Sequence, residues 1–333
     1  MRKTRVGVID QLNNAASSVA EPVDAPSGEK PRSPVPSLRH VSPRSIYDFE
    51  TAQPVYSAFG VPTRVVRIYE CPESGVRFRM PPSREESALL HAKHYQDFCG
   101  AGSPDYEAAN RERLAERVKY LQAFRPQGRV LDVGCSTGLM MSELTRAGFE
   151  AFGCDVSSEA CAVVREQFGA ERVCHGDTKD ARGRFGESAF DIITLMDVIE
   201  HFHDAAGGLR DIHSLLKPGG LVFLRTPSLS SPFFRLADWS YRLTLGRYTR
   251  AVQTIYHAEH IYFFSEKGLR MLLEESGLSM VSMRPDPLSW RVFRVCELVH
   301  GPLVNATLAL VYFVSRAMGG GHGINIIAQR CEQ

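Results

Sequence analysis

The sequence predicts a doubly wound α/β domain, a mostly parallel sheet covered by helices on both faces. Three observations predict it. Short apolar runs alternate with helical patterns through about a hundred residues from position 106 on. The first run, Arg129 to Val133, ends in Gly134 at the start of a helix. A later run, Phe190 to Met196, is apolar enough to be buried on both faces, as a central parallel strand must be.

The elements follow in order. Leu114, Val118, Leu121 and Phe124 share one helical face between Tyr106 and Phe124. After the strand 129–133, a helix runs from Gly138 to about Ala147, with Gly148 just past its end. Phe149 to Cys154 is the second strand, and Ser157 caps a helix whose first turn carries Glu159. Glu171 to Cys174 is the third strand and Phe190 to Met196 the fourth. Leu209, Ile212 and Leu216 mark a helix that stops at Lys217-Pro218-Gly219-Gly220, and Leu221 to Arg225 is the fifth strand. Ser265 caps a further helix carrying Leu269, Leu272 and Leu273 and closed by Gly277. Leu278 to Met283 and Gly323 to Ala328 complete the set, separated by an apolar helical stretch from about Trp290 to Met318. No internal repeat is visible.

Residues 1–45 are rich in proline and poor in large apolar side chains, the pattern of a disordered tail. Residues 46–105 read as a small extension in which Thr63 to Tyr69 and Val76 to Met80 form a hairpin around the turn Cys71 to Gly75. The domain itself occupies 106–331. A formal net charge of +1 argues against a nucleic-acid partner. Among the eight cysteines no C-x-x-C pair occurs, so zinc-ribbon and thioredoxin-like chemistry are not expected, and reduced structural thiols are. No signal-like segment follows Met1, and the most apolar run, Pro302 to Val314, is too short to span a bilayer, so a cytoplasmic location is expected.

The chemistry concentrates at Val130-Leu131-Asp132-Val133-Gly134-Cys135-Ser136-Thr137-Gly138. A strand that enters a glycine bend and then a helix start offers unpaired N–H donors to an anion. A dinucleotide-binding turn would read G-x-G-x-x-G and place a pyrophosphate there. Here the spacing is Gly134-x-x-x-Gly138, with Asp132 two residues before the first glycine. A carboxylate repels a pyrophosphate and attracts an ammonium group, which favours a ligand bearing an amino acid.

The DVGCSTG segment resembles motif I of the class I S-adenosylmethionine (SAM)-dependent methyltransferases. The likeness continues through Gly153-Cys154-Asp155, Gly176-Asp177, the strand 190–196 leading into Asp197-Val198-Ile199-Glu200-His201, and Lys217-Pro218-Gly219-Gly220. It is similar above all to the subgroup holding ubiquinone-pathway O-methyltransferases and small-molecule or sugar methyltransferases, over roughly residues 106 to 330. The resemblance implies a Rossmann-like, seven-stranded sheet with helical lid inserts, and SAM as cofactor. It places Gly134, Cys135 and Gly138 along the methionine end of SAM, with Asp132 near the amino group. Asp155 would accept the ribose hydroxyls, Val156 would pack on the adenine, and Asp177, with Thr178 nearby, would accept the adenine amino group. Met196 and Asp197 would lie beside the sulfonium. Taken singly, Asp155 could also begin a helix and Asp177 cap a turn.

A hydroxyl acceptor benefits from a general base, and His201, His203, His257 and His260 are the candidates, His201 first and His260 within the family-like His-x-x-x-Phe-Ser stretch. A histidine merely hydrogen-bonded within its loop is the alternative. Glu200-His201-x-His203-Asp204 has metal-ligand chemistry, but with no distant carboxylate to complete it, no metal is expected.

Acceptor selectivity is expected from two inserts, 227–260 and 285–321. The first interleaves Phe233, Phe234, Trp239, Tyr241, Tyr248 and Tyr256 with Arg235, Arg242, Arg247 and Arg250. An aromatic lid, a basic amphipathic surface and an ordinary helical cover all fit that composition. The expected function is methyl transfer to an oxygen of a small-molecule, sugar or lipid-linked acceptor. N- or C-methylation and a non-catalytic SAM-binding protein are the alternatives. Peripheral membrane contact through 232–250 or 290–318, and a homodimer, are left open.

Overall fold

The computed structural model describes residues 31–56, 62–79, 104–256, 260–286, 289–296, 302–317 and 320–331. Its strands are β1 (Arg44–Tyr56), β2 (Pro62–Glu70), β3 (Arg77–Phe78), β4 (Arg129–Val133), β5 (Glu150–Asp155), β6 (Val173–His175), β7 (Phe190–Met196), β8 (Leu216–Pro227), β9 (Tyr262–Phe263), β10 (Leu278–Asp286) and β11 (Gly323–Arg330). Its helices are α1 (Pro104–Gln122), α2 (Leu139–Arg146), α3 (Ser158–Phe168), α4 (Thr178–Phe185), α5 (Ala205–Leu215), α6 (Pro232–Leu243), α7 (Arg250–Ile255), α8 (Glu266–Glu275), α9 (Trp290–Cys296) and α10 (Pro302–Ala317).

The main sheet has seven strands in the order β10-β11-β8-β7-β4-β5-β6. Pairs β7/β8, β4/β7, β4/β5 and β5/β6 are parallel; β11 alone runs against its neighbours β8 and β10. This is the doubly wound sheet that the alternating pattern predicts. Successive side chains on a strand point to opposite faces. Leu131, Ile193 and Ile326 therefore join one core layer with Leu209, Ile212 and Leu269, while Val130, Ile192 and Ile327 join the other with Leu114, Leu121 and Leu144. Each such fully buried aliphatic side chain contributes about 1.5–3 kcal/mol, so the strands carry the fold on both sides.

Three local expectations shift. Lys217-Pro218-Gly219-Gly220 belongs to β8 rather than to the loop before it, and α5 ends one residue before Leu216. β6 starts at Val173, after a 3-10 turn at Ala170–Arg172. Residues 31–45, grouped above with a disordered tail, fold: a 3-10 turn at Pro36–Leu38 buries Val35 and Leu38 beside Cys71 and Val76, and the Ser37 amide donates to Glu275 of α8 at 3.1 Å. Its prolines fix a turn here instead of keeping the segment open.

A second, four-stranded sheet has the order β1-β2-β3-β9. The β2–β3 hairpin forms around Cys71–Gly75, where the Cys71 amide donates to the Val76 carbonyl. The last strand, β9, comes from beyond the first insert, so the N-terminal extension is stitched to that insert. Arg77 makes the stitch polar: it donates to Glu70 at 2.9 Å, to Asp238 of α6 at 2.7 Å and to the Tyr256 hydroxyl. The second insert is held differently. Phe293 of α9 stacks on Tyr312 of α10 at 4.6 Å and packs with Phe233 of α6 and Ala109 of α1.

The described cysteines Cys71, Cys135, Cys154, Cys161 and Cys174 are buried, Cys331 is exposed, and all six are unpaired thiols. Among the described residues no helix is long and apolar enough to cross a membrane.

Candidate active site

The bend between β4 and α2 places Gly134, Ser136 and Gly138 at φ of 71°, 46° and 77°. Gly134 is required twice over: its φ is left-handed, and a Cβ there would meet Val198 at 2.6 Å. The amides of Gly134 and Cys135 both donate to the Cys154 carbonyl, at 2.8 and 3.1 Å, which ties the bend to the end of β5. Leu139 and Met140 open α2, where amides lack intrahelical acceptors and can receive an anion. The Cys135 side chain is buried against Gly153, so at this residue it is the backbone that borders the bend.

Asp132 lies beneath the bend, almost fully buried, and accepts from the Thr194 hydroxyl at 2.6 Å. Burial pushes its carboxyl up to about 7, the charge of Asp155 adds to this, and the Thr194 bond only partly opposes it. Such an acid gains its charge when a cation arrives. Asp155 ends β5 with each oxygen held once, Oδ2 by the Ser136 amide and Oδ1 by the Ser157 amide, both at 2.8 Å. A carboxylate oxygen has a second lone pair, so both remain able to accept a hydroxyl. Val156 follows with 49% of its surface exposed, an apolar shelf beside that acid.

The third acid behaves as a cap. Asp177 Oδ1 accepts from the Lys179 and Asp180 amides in a capping box at the start of α4. Thr178 is buried, and its hydroxyl donates to Asp211 of α5 at 3.3 Å.

At the end of β7, Asp197 takes a φ of 61° and accepts from Arg225 Nη1. Arg225 also donates to Asp286 at 3.0 Å, and Asp286 in turn accepts from Arg117, whose Nη1 reaches the Met196 sulfur at 3.9 Å. Burial opposes the charge of Asp286, but Arg117 and Arg225 outweigh it and hold the carboxyl well below its usual range. Sequence reasoning missed this network. Its signals were an arginine closing the apolar strand Leu221–Arg225 and an acid closing the next.

A 3-10 turn at Ile199–His201 then buries Glu200 completely. Glu200 Oε2 accepts from the Thr226 hydroxyl at 2.9 Å, and its backbone carbonyl accepts from the Ile261 amide at 2.8 Å, which draws His260 alongside. The rings of His201 and His260 meet edge to face at 4.8 Å. Glu200, His201 and His260 each offer a ligand atom, all within 4.8 Å of one another, a grouping that suits proton transfer or a divalent cation. The sequence lacked a distant partner for Glu200 and His201, and the fold supplies His260. Burial pushes the Glu200 carboxyl up to about 7. His203 is exposed, and His257 lies outside the described residues.

A family model described as a methyltransferase domain matches residues 106–283. The ubiquinone biosynthesis O-methyltransferase of Ruegeria pomeroyi is 31% identical over 169 residues, 49% of this chain and 66% of that protein. The protein of the same name from Ralstonia nicotianae is 27% identical over 210 residues, 58% and 81% of the two chains. The match thus spans just under two thirds of the first relative's length. Among solved structures, a chain from the complex of the Haloferax volcanii Trm112 methyltransferase activator with a methyltransferase superposes with a TM-score of 0.50 at 16% identity, covering 68% of this chain and 93% of that one, which shows a shared fold.

Proposed function

Since this chain belongs to the class I SAM-dependent methyltransferases, we propose that it methylates an oxygen of a small-molecule, sugar or lipid-linked acceptor. The observation that carries the reading is the gathering of Asp132, the Gly134–Gly138 bend, Asp155 and the Glu200–His201–His260 group along one sheet edge. SAM fits the first three. Its ammonium suits the buried, cation-seeking Asp132, its carboxylate suits the α2 amides, and its ribose diol suits the two accepting oxygens of Asp155. Val156 would carry the adenine face, and Asp177 remains the proposed acceptor for its amino group.

SAM supplies an electrophilic methyl group on a sulfonium. The protein's own tasks are to align the acceptor, exclude water and remove a hydroxyl proton. We assign the last to His201 as general base, with buried Glu200 and His260 as positioning residues beside it. Asp155→Ala should weaken S-adenosylhomocysteine binding by about 1–3 kcal/mol, the scale for losing a charged acceptor. Titration calorimetry reads this directly, and unchanged affinity would remove Asp155 from the ribose site.

The first insert supports contact with an anionic bilayer, as a lipid-linked acceptor would require. Trp239 and Leu243 of α6 are 67% and 79% exposed, and Leu245 just beyond is 87% exposed. Arg235, Arg242 and Arg247 flank them, while Asp238, the sole acid in residues 229–256, is turned inward to Arg77. Leu243→Glu should cut co-sedimentation with phosphatidylglycerol vesicles by about tenfold and leave phosphatidylcholine controls unchanged. Equal sedimentation of both proteins would dismiss this surface.

A further inference from the structure

Both inserts spring from one place on the sheet. Asp286, the last residue of β10, pairs with Gly323, the first of β11, and Gly323 pairs in turn with Pro227, the last of β8. The segments leaving Pro227 and Asp286 therefore start side by side, at the edge that carries Asp197 and His201 beyond β7. They also meet above it: Phe233 of α6 packs with Leu308, Val311 and Tyr312 of α10.

That contact uses one face of α10, and the opposite face is the anomaly. Ala306, Leu310, Phe313, Val314 and Ala317 share one stripe at helical spacing, and all are exposed. Leu310, Phe313 and Val314 are 65%, 54% and 48% exposed. A helix at the surface of a soluble protein turns polar residues outward, and one that is apolar on every side is normally covered. Trp290 borders the stripe, with its ring 4.9 Å from that of Phe313.

Charge identifies the cover. Residues 289–331 hold one acid, Glu297, against Arg291, Arg294, Arg316 and Arg330. Arg291, Arg294 and Arg316 are exposed. The first insert repeats the pattern, with Trp239 and Leu243 exposed among arginines and Asp238 turned inward. Exposed apolar side chains and cations, with no exposed acid among the described residues of either insert, complement an anionic lipid surface. A second copy fits less well. The stripe is far smaller than the about 20–30 residues a side of a stable protein interface, and it offers no acid to a partner's arginine.

We propose that α10 is a second bilayer-docking surface, which works with α6 to set the site-bearing edge of the sheet against an anionic membrane. At 16 residues α10 is about 24 Å long, and it lies in the plane of the bilayer rather than across it. The proposal rests on the bilayer contact of the first insert and narrows the acceptor to the lipid-linked class.

The test is co-sedimentation of the full chain with phosphatidylglycerol vesicles. Leu310→Glu and Phe313→Glu are compared with Leu243→Glu and with the double variant Leu243→Glu/Phe313→Glu. Each α10 variant should lower binding about tenfold, and the double variant about a hundredfold, because separate sites add in free energy. Phe313→Leu keeps the stripe apolar and should bind as the wild type does. The replaced side chains are exposed, so the fold tolerates the charge. Wild-type binding by both α10 variants overturns the proposal and leaves the first insert's contact standing. Loss in the α10 variants with none in Leu243→Glu removes the first insert instead, and joint docking with it. A wild-type chain that binds no vesicle overturns both. If sedimentation equilibrium finds a dimer that Phe313→Glu dissociates, the stripe belongs to a second copy and the proposal falls.

Discussion

His201→Ala will slow turnover by about two orders of magnitude or more while leaving affinity for SAM intact, the range that a positioned proton acceptor contributes. His201 closes a tight 3-10 turn at the C-terminal end of β7, beside the strand end assigned to the sulfonium, and its ring meets His260 at 4.8 Å. Glu200 beneath it is anchored at Thr226 and Ile261, so the turn has little freedom to drift. The measurement is kcat together with the pH–rate profile. Loss of a base removes the acidic limb of that profile, whereas a purely structural histidine lowers the whole curve and keeps its shape. Glu200→Gln, as a positioning change, should cost less and keep that limb. If dialysis against a chelator silences the wild type and a divalent ion restores it, the three groups act as metal ligands and the base assignment falls.

Asp238→Ala will destabilise the fold by about 3 kcal/mol, the lower part of the range for breaking a buried ion pair from one side. Arg77 and Asp238 have side chains only 13% and 12% exposed, so solvent screens the pair weakly. The estimate stays low in the range because Glu70 remains to hold Arg77. Removing Asp238 also strands the hydroxyls of Tyr47 and Tyr256, which both donate to it. Urea unfolding checks the value. A midpoint within error of the wild type would mean that the N-terminal sheet does not share the cooperative unit.

The sequence revealed whatever is local. The strands β4, β5, β7 and the bend at Gly134–Gly138 are contiguous signals, and Asp155 is found because a strand end and a helix cap flank it. What escaped is set by distant pairing. Arg117 and Asp286 stand 169 positions apart, and Arg225 and Asp286 61, so the charged strand ends are visible locally but their pairing is not. His260 reaches Glu200 only because the Ile261 amide bonds to the turn. The bond of Thr178 to Asp211 is of the same kind, since Asp211 belongs to the next helix. β1 was missed as a strand because its antiparallel pairing with β2 is a relation between two segments and not a pattern within one.

The two inserts are fastened by different means, and this divides their labour. The first leads into β9, which pairs with β3, and holds a buried guanidinium through Asp238. The second rests on aromatic faces, chiefly Phe293 against Tyr312 and Phe233. Directional bonds must break before their element moves, while flat apolar faces slide at small cost. The cover is therefore held most directionally along the N-terminal sheet and least so along α9 and α10.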